Sequence, residues 1–428
     1  MIKILDNTVK NFDVTLDKLL SNRKNKVQLN SVSVTKIIKE VKKNGDKAIL
    51  KYEKKFNNNN IITPSSKKIT KSIKSLDPKI KKAIDLAYNR IYKFHSLQKF
   101  KNVSYTDKLQ NKLEYKHVPI QSVAIYVPGS SASYPSSVLM NAIPALVAGV
   151  KRLVMINPGQ KGKQSPAVLY AARKCKIKEI HSIGGPSAIA AVAYGSKKIK
   201  KVDKIVGPGN LYVAAAKKEV FGDVGIEGMI AGPSEVTIVC DRWSNPEWVA
   251  SDLIGQAEHD GLAQCIVISK NKSLLIKVID EVKKQLKDLP RVKIAKKSIL
   301  DNGIFMHILS DKKIIEVINK IAPEHLELNI KNYIEIAAKI KNSGSICLGK
   351  YAVMAMTDYN VGSNHILPTN SSARYASGLS VNEFYNRISY IKLSKKGIET
   401  LGPSVITLAN YEGLVGHAKS VEKRIRRK

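Results

Sequence analysis

Four of the chain's eight histidines lie in stretches crowded with other ligating or proton-transfer side chains: QAEHD (256–260), PEHLEL (323–328), TDYNVGSNHILPT (357–369) and EGLVGH (412–417). Gln256 and His259 are three positions apart, so on a helix they would share a face. They are either polar residues on a solvated face or half of a metal site. Asp358 and His417 could complete a set of nitrogen and oxygen donors. Two imidazoles in such a set favour zinc over magnesium, and a catalytic zinc keeps a position open for substrate. Glu324 and His325 supply two proton-transfer groups of different pKa. If PEHLEL is helical, adjacent side chains diverge by about 100° and both can line one cleft. Pro323 would then sit well at a helix start, which leaves a first-turn acid as the plain alternative. His95, His117, His181 and His307 have ordinary surroundings and read as structural or surface residues.

These groups need a scaffold, and two textures supply it. Residues 1–120 are lysine-rich and look helical; VSVTKIIKEVKKNGDKAILKYEKKF places Val34, Ile37, Ile38 and Val41 on one face. From about 121, short apolar runs alternate with helix-like stretches: VAIYV, RLVMIN, EIHSI, DKIV, then VTIVC and CIVIS. The first four recur at the spacing of a βα unit, the pattern of a parallel sheet with helical crossovers. Glycines follow three of them, in VPGSS, IGGPSAIAAVAYG and VGPGNLYVAAAK. Glycine past a parallel strand lets backbone approach a ligand, and the following helix offers free N–H groups to a phosphate. None of these is GxGxxG, so the standard dinucleotide fingerprint is absent. The last fifty residues read as mostly helical.

Bulk properties narrow the classes. With 428 residues and 43% apolar content the chain can bury a sizeable core. No apolar run reaches the ~18 residues of a membrane span, and the N-terminus lacks an apolar signal core, so a cytoplasmic protein without membrane partners is expected. The four cysteines are far apart, without CxxC spacing; Cys240 and Cys265 adjoin apolar runs and read as buried thiols. A net charge of +37 could hold nucleic acid electrostatically. The lysines are scattered, however, and not interleaved with aromatics, so no specific nucleic-acid partner is expected. The charge also has gaps. Residues 231–264 hold six acids against Arg242 alone, and 351–370 hold no Lys or Arg.

Taken together, YVPGSSASYPSSVLMNAIPA, IVGPGNLYVAAAK, IAGPSEV, GQAEHD, APEHLEL, DYNVGSNHILPT and EGLVGHAKSVEKR resemble the histidinol dehydrogenase family across nearly the whole chain, in family order. The resemblance implies an α/β fold: two incomplete Rossmann-like parallel-sheet domains plus small, mostly helical C-terminal parts, in an intertwined homodimer with shared active sites. Its units would be an arm at 1–22, a discontinuous domain at 23–122 and 236–378 carrying the zinc and proton-transfer residues, an NAD-binding domain at 123–235, and a tail at 379–428 crossing to the partner.

The implied cofactors are NAD and one zinc per subunit, bound by Gln256, His259, Asp358 and, from the other subunit, His417. Glu324 would activate water and His325 would transfer protons. Ser136, Ser234, His365 and Glu412 would join the zinc ligands and His325 around L-histidinol. Tyr126, Ser187 and Asn210 would lie at the NAD site. Ser187 stands where the family usually has Gln, Ser130 where it often has Gly, and GIEGMIAGPSEV is one residue longer than the usual form. The implied reaction is the four-electron, NAD-dependent oxidation of L-histidinol to L-histidine through L-histidinaldehyde, the last two steps of histidine biosynthesis. The rival readings are a paralogous zinc and NAD alcohol dehydrogenase acting on another polar diol, such as a sulfonated one, and a basic nucleic-acid-binding protein.

Overall fold

The computed structural model describes residues 4–26, 32–129, 133–159, 163–227 and 232–425. Ser130 and most of GMIAG lie outside the described residues. Two parallel sheets organise the chain, in the same winding order. In the first, Ser122–Tyr126 is followed outward by Arg152–Ile156 and Glu179–His181, and the chain then returns to the other side for Lys204–Val206 and Gly225–Ile226. In the second, Glu235–Cys240 is followed by Gln264–Ser269 and Ile304–His307, and the return gives His325–Asn329 and Ser345–Leu348. The five strands so wound in each make a doubly wound sheet one strand short of the six-stranded form, the incomplete Rossmann-like pair expected, and the second sheet gains a sixth strand from the N-terminus. Central strands such as Ser122–Tyr126, Glu235–Cys240 and Gln264–Ser269 are buried at every residue, as a parallel sheet covered on both faces requires.

The helices are divided between the two sheets differently from the family-based boundaries, which join 23–122 to 236–378. Helices Val32–Asn44 and Asp46–Asn57 bury Val34, Ile38, Val41 and Ile49 against Tyr126, Ile156 and Ile189 of the first sheet and its helices. Helix Pro78–Ser96 packs Ile84 and Ile91 against Ile125, Leu139 and Ile143 on the other face. The second sheet instead recruits the N-terminus: Ile4–Asp6 is its edge strand, parallel to Ile304–His307, and Phe12 and Leu16 pack with Met306 and Ile318. An amphipathic stripe shows that a face is buried but not which sheet buries it.

A third sheet corrects two further expectations. Val103–Thr106 and Lys112–Pro119, in the stretch read as helical, pair antiparallel, and Tyr385–Lys392 joins them from the tail. Their side chains alternate in character, but both faces are largely exposed, so no apolar stripe betrays them. The rest of the tail is helical, Lys395–Tyr411 and Val415–Ile425, and the two helices pack closely where Gly402 meets Val421 and Ile425. Among the described residues no helix is long and apolar enough to cross a membrane. All four cysteines are free and buried, Cys240 and Cys265 as their apolar runs predict.

Candidate active site

Three of the four polar clusters, QAEHD, PEHLEL and TDYNVGSNHILPT, lie at the amino edge of the second sheet. Helix Pro246–Ala257 ends one residue past Gln256, so His259 follows in the turn and not on the helix face. Gln256 is 1% exposed, and among the described residues neither its amide oxygen nor its nitrogen has a hydrogen-bond partner. A buried amide left unpaired costs on the order of 1–3 kcal/mol. Asp358, in the short helix Met354–Tyr359, places its carboxylate 4.0 Å from His259 Nε2 and 3.9 Å from His325 Nε2. Burial pushes the Asp358 carboxyl up to about 7. Among the described residues no three His, Cys, Asp or Glu side chains of this single chain converge to hold a metal. The donors present nonetheless suit zinc: an orphaned amide, an imidazole and a desolvated carboxylate.

PEHLEL is not helical. His325–Asn329 is a central strand of the second sheet, with Glu324 immediately before it. The two side chains therefore sit at the mouth of a strand, with His325 Nε2 3.9 Å from Glu324 Oε1. Glu324 Oε2 accepts from the Glu235 N–H at 2.8 Å, which fixes the carboxylate against the neighbouring strand. His325 Nδ1 lies 3.1 Å from Ser345 Oγ, its register partner on the next strand. Burial, then the nearby His365 and His259, lower the His325 pKa to about 3, so the ring is neutral and can accept a proton. His365 is lowered to about 4, chiefly by burial, and its Nδ1 donates to the Asp358 carbonyl at 2.9 Å.

Sequence reasoning missed the pair that ties these elements together. Glu327, two residues along the strand from His325, hydrogen-bonds Asp252, one turn before Gln256 on its helix. Glu327 Oε1 also accepts from the Met354 N–H at 2.6 Å, at the start of the helix carrying Asp358. One carboxyl pair thus joins the supports of Gln256, His325 and Asp358. Burial, then the Asp252 charge, raise Glu327 from 4.5 to about 8; burial raises Asp252 from 3.8 to about 6. The available signal was an acid inside a strand flanked by Leu326 and Leu328, and an acid in the apolar helix VASDLI.

Other expected residues have different settings. Ser234 precedes the strand Glu235–Cys240, and its carbonyl accepts from Gln264 N at 2.9 Å. Ser136 lies in the first turn of helix Pro135–Ala148; the loop after Asp358 reaches that helix through Asn364, which donates to the Met140 carbonyl at 2.7 Å. Tyr126, Ser187 and Asn210 cluster by sequence at glycine turns on the carboxyl edge of the first sheet. Tyr126 OH accepts from Gly185 N–H at 3.1 Å, and burial pushes its pKa up to about 12. Ser187 is buried, its hydroxyl donating to Gly184 O at 3.0 Å, so it turns inward instead of extending a polar arm. Asn210 caps helix Leu211–Val220 through Val213 N at 3.1 Å. Gly207 has a positive φ of 106° and sits against the Tyr126 carbonyl where a Cβ would collide. Glu412 and His417 are both exposed, and among the described residues no hydrogen bond or ion pair joins them to the cluster.

The motif order now has an independent counterpart. A family model described as Histidinol dehydrogenase matches residues 20–425. The chain belongs to the histidinol dehydrogenase family. It is 82% identical over 428 residues to the histidinol dehydrogenase of Pelagibacter ubique (strain HTCC1062), covering 100% of both chains. It is 44% identical to histidinol dehydrogenase 1 of Trichormus variabilis, covering 99% of this chain and 98% of that one. The crystal structure of histidinol dehydrogenase from Elizabethkingia anophelis superposes with a TM-score of 0.88 at 38% identity, covering 95% of this chain and 96% of that one.

The shared carboxyl pair makes a stability prediction. Folded Glu327 retains a proton that the unfolded chain has released, because its pKa is raised from 4.5 to about 8. Its contribution is therefore full below pH 4.5 and falls as pH rises through about 8. The slope is at most about 1.4 kcal/mol per pH unit. In metal-stripped protein, urea midpoints of Glu327→Gln should decline less steeply than wild type between pH 6 and 8. Parallel declines would show that the pair holds no extra proton.

Proposed function

We propose that this chain oxidises L-histidinol to L-histidine by way of L-histidinaldehyde, in two NAD-dependent steps that close histidine biosynthesis. The observation that carries the reading is a buried neutral imidazole, His325, beside an anchored carboxylate, Glu324, in a chain of this family. In the first step neutral His325 accepts the alcohol proton as the C–H bond gives up its hydride. In the second, Glu324 accepts a proton from water as the oxygen adds to the aldehyde carbon, and the hydrate loses a second hydride. NAD supplies the hydride acceptor in each step, and the glycine turns around Tyr126, Ser187 and Asn210 are its proposed seat. Zinc, held by Gln256, His259, Asp358 and a partner subunit's counterpart of His417, would serve as template for the substrate and as a Lewis acid. Ser136, Ser234, His365 and Glu412 would complete the substrate pocket.

An intertwined homodimer fits the tail. Strand Tyr385–Lys392 exposes Ile388, Tyr390 and Ile391, helix Lys395–Tyr411 exposes Leu401 and Leu408, and the turn after it exposes Leu414. That apolar surface needs a cover, and Glu412 and His417 sit on the same tail. The reading also places the protein in the cytoplasm, where its cysteines stay reduced.

Two experiments test these roles. Glu324→Gln should slow oxidation of L-histidinaldehyde by about 100-fold or more while slowing the alcohol step far less; equal losses in both half-reactions would remove Glu324 from water activation. Mixing inactive His417→Asn with inactive His259→Asn chains should restore roughly one quarter of wild-type activity after random exchange in a two-fold dimer. Mixed dimers that form and stay inactive would place each site within one chain.

A further inference from the structure

The second sheet has two edges, and the residues described above use only its amino edge. Its winding reverses between Glu235–Cys240 and His325–Asn329. In open parallel sheets, ligands bind outside the carboxyl ends of the strands where the winding reverses, and one such half accommodates a mononucleotide. A crevice of about 580 Å³ lies there, lined by Asp241, Trp243, Asn329, Lys331, Tyr333 and Tyr351 among others. That volume is in the range of small-molecule sites.

The crevice is built, and it is aromatic and cationic. Ser244 Oγ donates to the Asn329 carbonyl at 2.5 Å and accepts from Asp241 N at 3.0 Å, which ties the two strand ends into a floor. The Asp241 carboxylate accepts from Trp243 N at 2.9 Å and Lys331 N at 2.8 Å, so its charge is met by backbone. Gly349, with φ at 82°, has its Cα side against the Tyr333 ring, where a Cβ would come within 3.4 Å. Trp243 is 65% exposed and Tyr351 78%, although rings of that size gain by covering. Arg242 lies 4.9 Å from the Trp243 ring centroid and Lys350 5.1 Å from that of Tyr351. With Lys331, these place three cations around the aromatic walls.

We propose that this crevice binds a nucleoside monophosphate, its base against the Trp243 and Tyr351 rings and its phosphate held by Lys331 and Lys350. It is separate from the proton-transfer cluster, which sits at the other end of the same strands. The recognition is stacking plus charge, without a glycine-rich phosphate loop.

The chain has only two tryptophans, and both report on this corner: Trp243 lines it, and the Trp248 ring is 6.3 Å from that of Tyr351. Adenosine 5′-monophosphate titrated into the full-length protein should change tryptophan fluorescence saturably. Adenosine should bind more weakly, and Lys331→Ala should raise the half-saturating concentration about tenfold, as loss of one charge-assisted contact would. Basal histidinol oxidation by Lys331→Ala should match wild type. A fluorescence change that does not saturate, or a half-saturation that Lys331→Ala leaves unmoved, would overturn the assignment. Equal binding of adenosine would overturn the phosphate contact.

Discussion

The site depends on a carboxyl group that is kept protonated. Glu327 and Asp252 cannot both ionise at close range in a desolvated setting, so one proton holds them as a hydrogen-bonded pair. Through that pair, and the Met354 N–H on Glu327, the Gln256 helix, the His325 strand and the Asp358 helix meet at one place. Each of these elements carries one of the proposed site residues. Such support by surrounding groups is what catalytic constellations require.

The two sheets repeat one winding but use opposite edges. On the first, glycine turns at the carboxyl ends of strands bring backbone N–H groups forward, the usual place for a nucleotide. On the second, Glu324 and His325 stand at the amino end of their strand, facing loops that reach across to helix Pro135–Ala148 through Asn364. The proposed reaction centre therefore lies at the end of the second sheet opposite the crevice lined by Asp241 and Asn329, where a second nucleotide would sit by analogy.

Much of this was legible in residue order. The six runs from VAIYV to CIVIS are strands, because a parallel strand buried on both faces is a short, mostly apolar stretch. His259, Asp358 and His365 stood out as polar residues in lysine-poor stretches, and the structure brings both imidazoles to 4.0 Å from the Asp358 carboxylate. PEHLEL deceived because proline before an acid imitates a helix start, while the alternation of His325 and Glu327 with Leu326 and Leu328 is that of a strand. The third sheet was hidden because exposed strands carry no apolar stripe. The sheet that receives helices 32–96 was not legible, since an amphipathic face is silent about its partner. Nor could a single chain show what meets Glu412 and His417.

The central claim is a four-electron oxidation at the Glu324–His325 edge. Its most direct measurement is the ratio of NADH to L-histidine formed when zinc-loaded protein consumes L-histidinol with excess NAD. The account predicts two NADH for each histidine, from two successive hydride transfers at one site. One NADH with aldehyde accumulating, or no turnover with zinc bound and another polar diol oxidised instead, would contradict it.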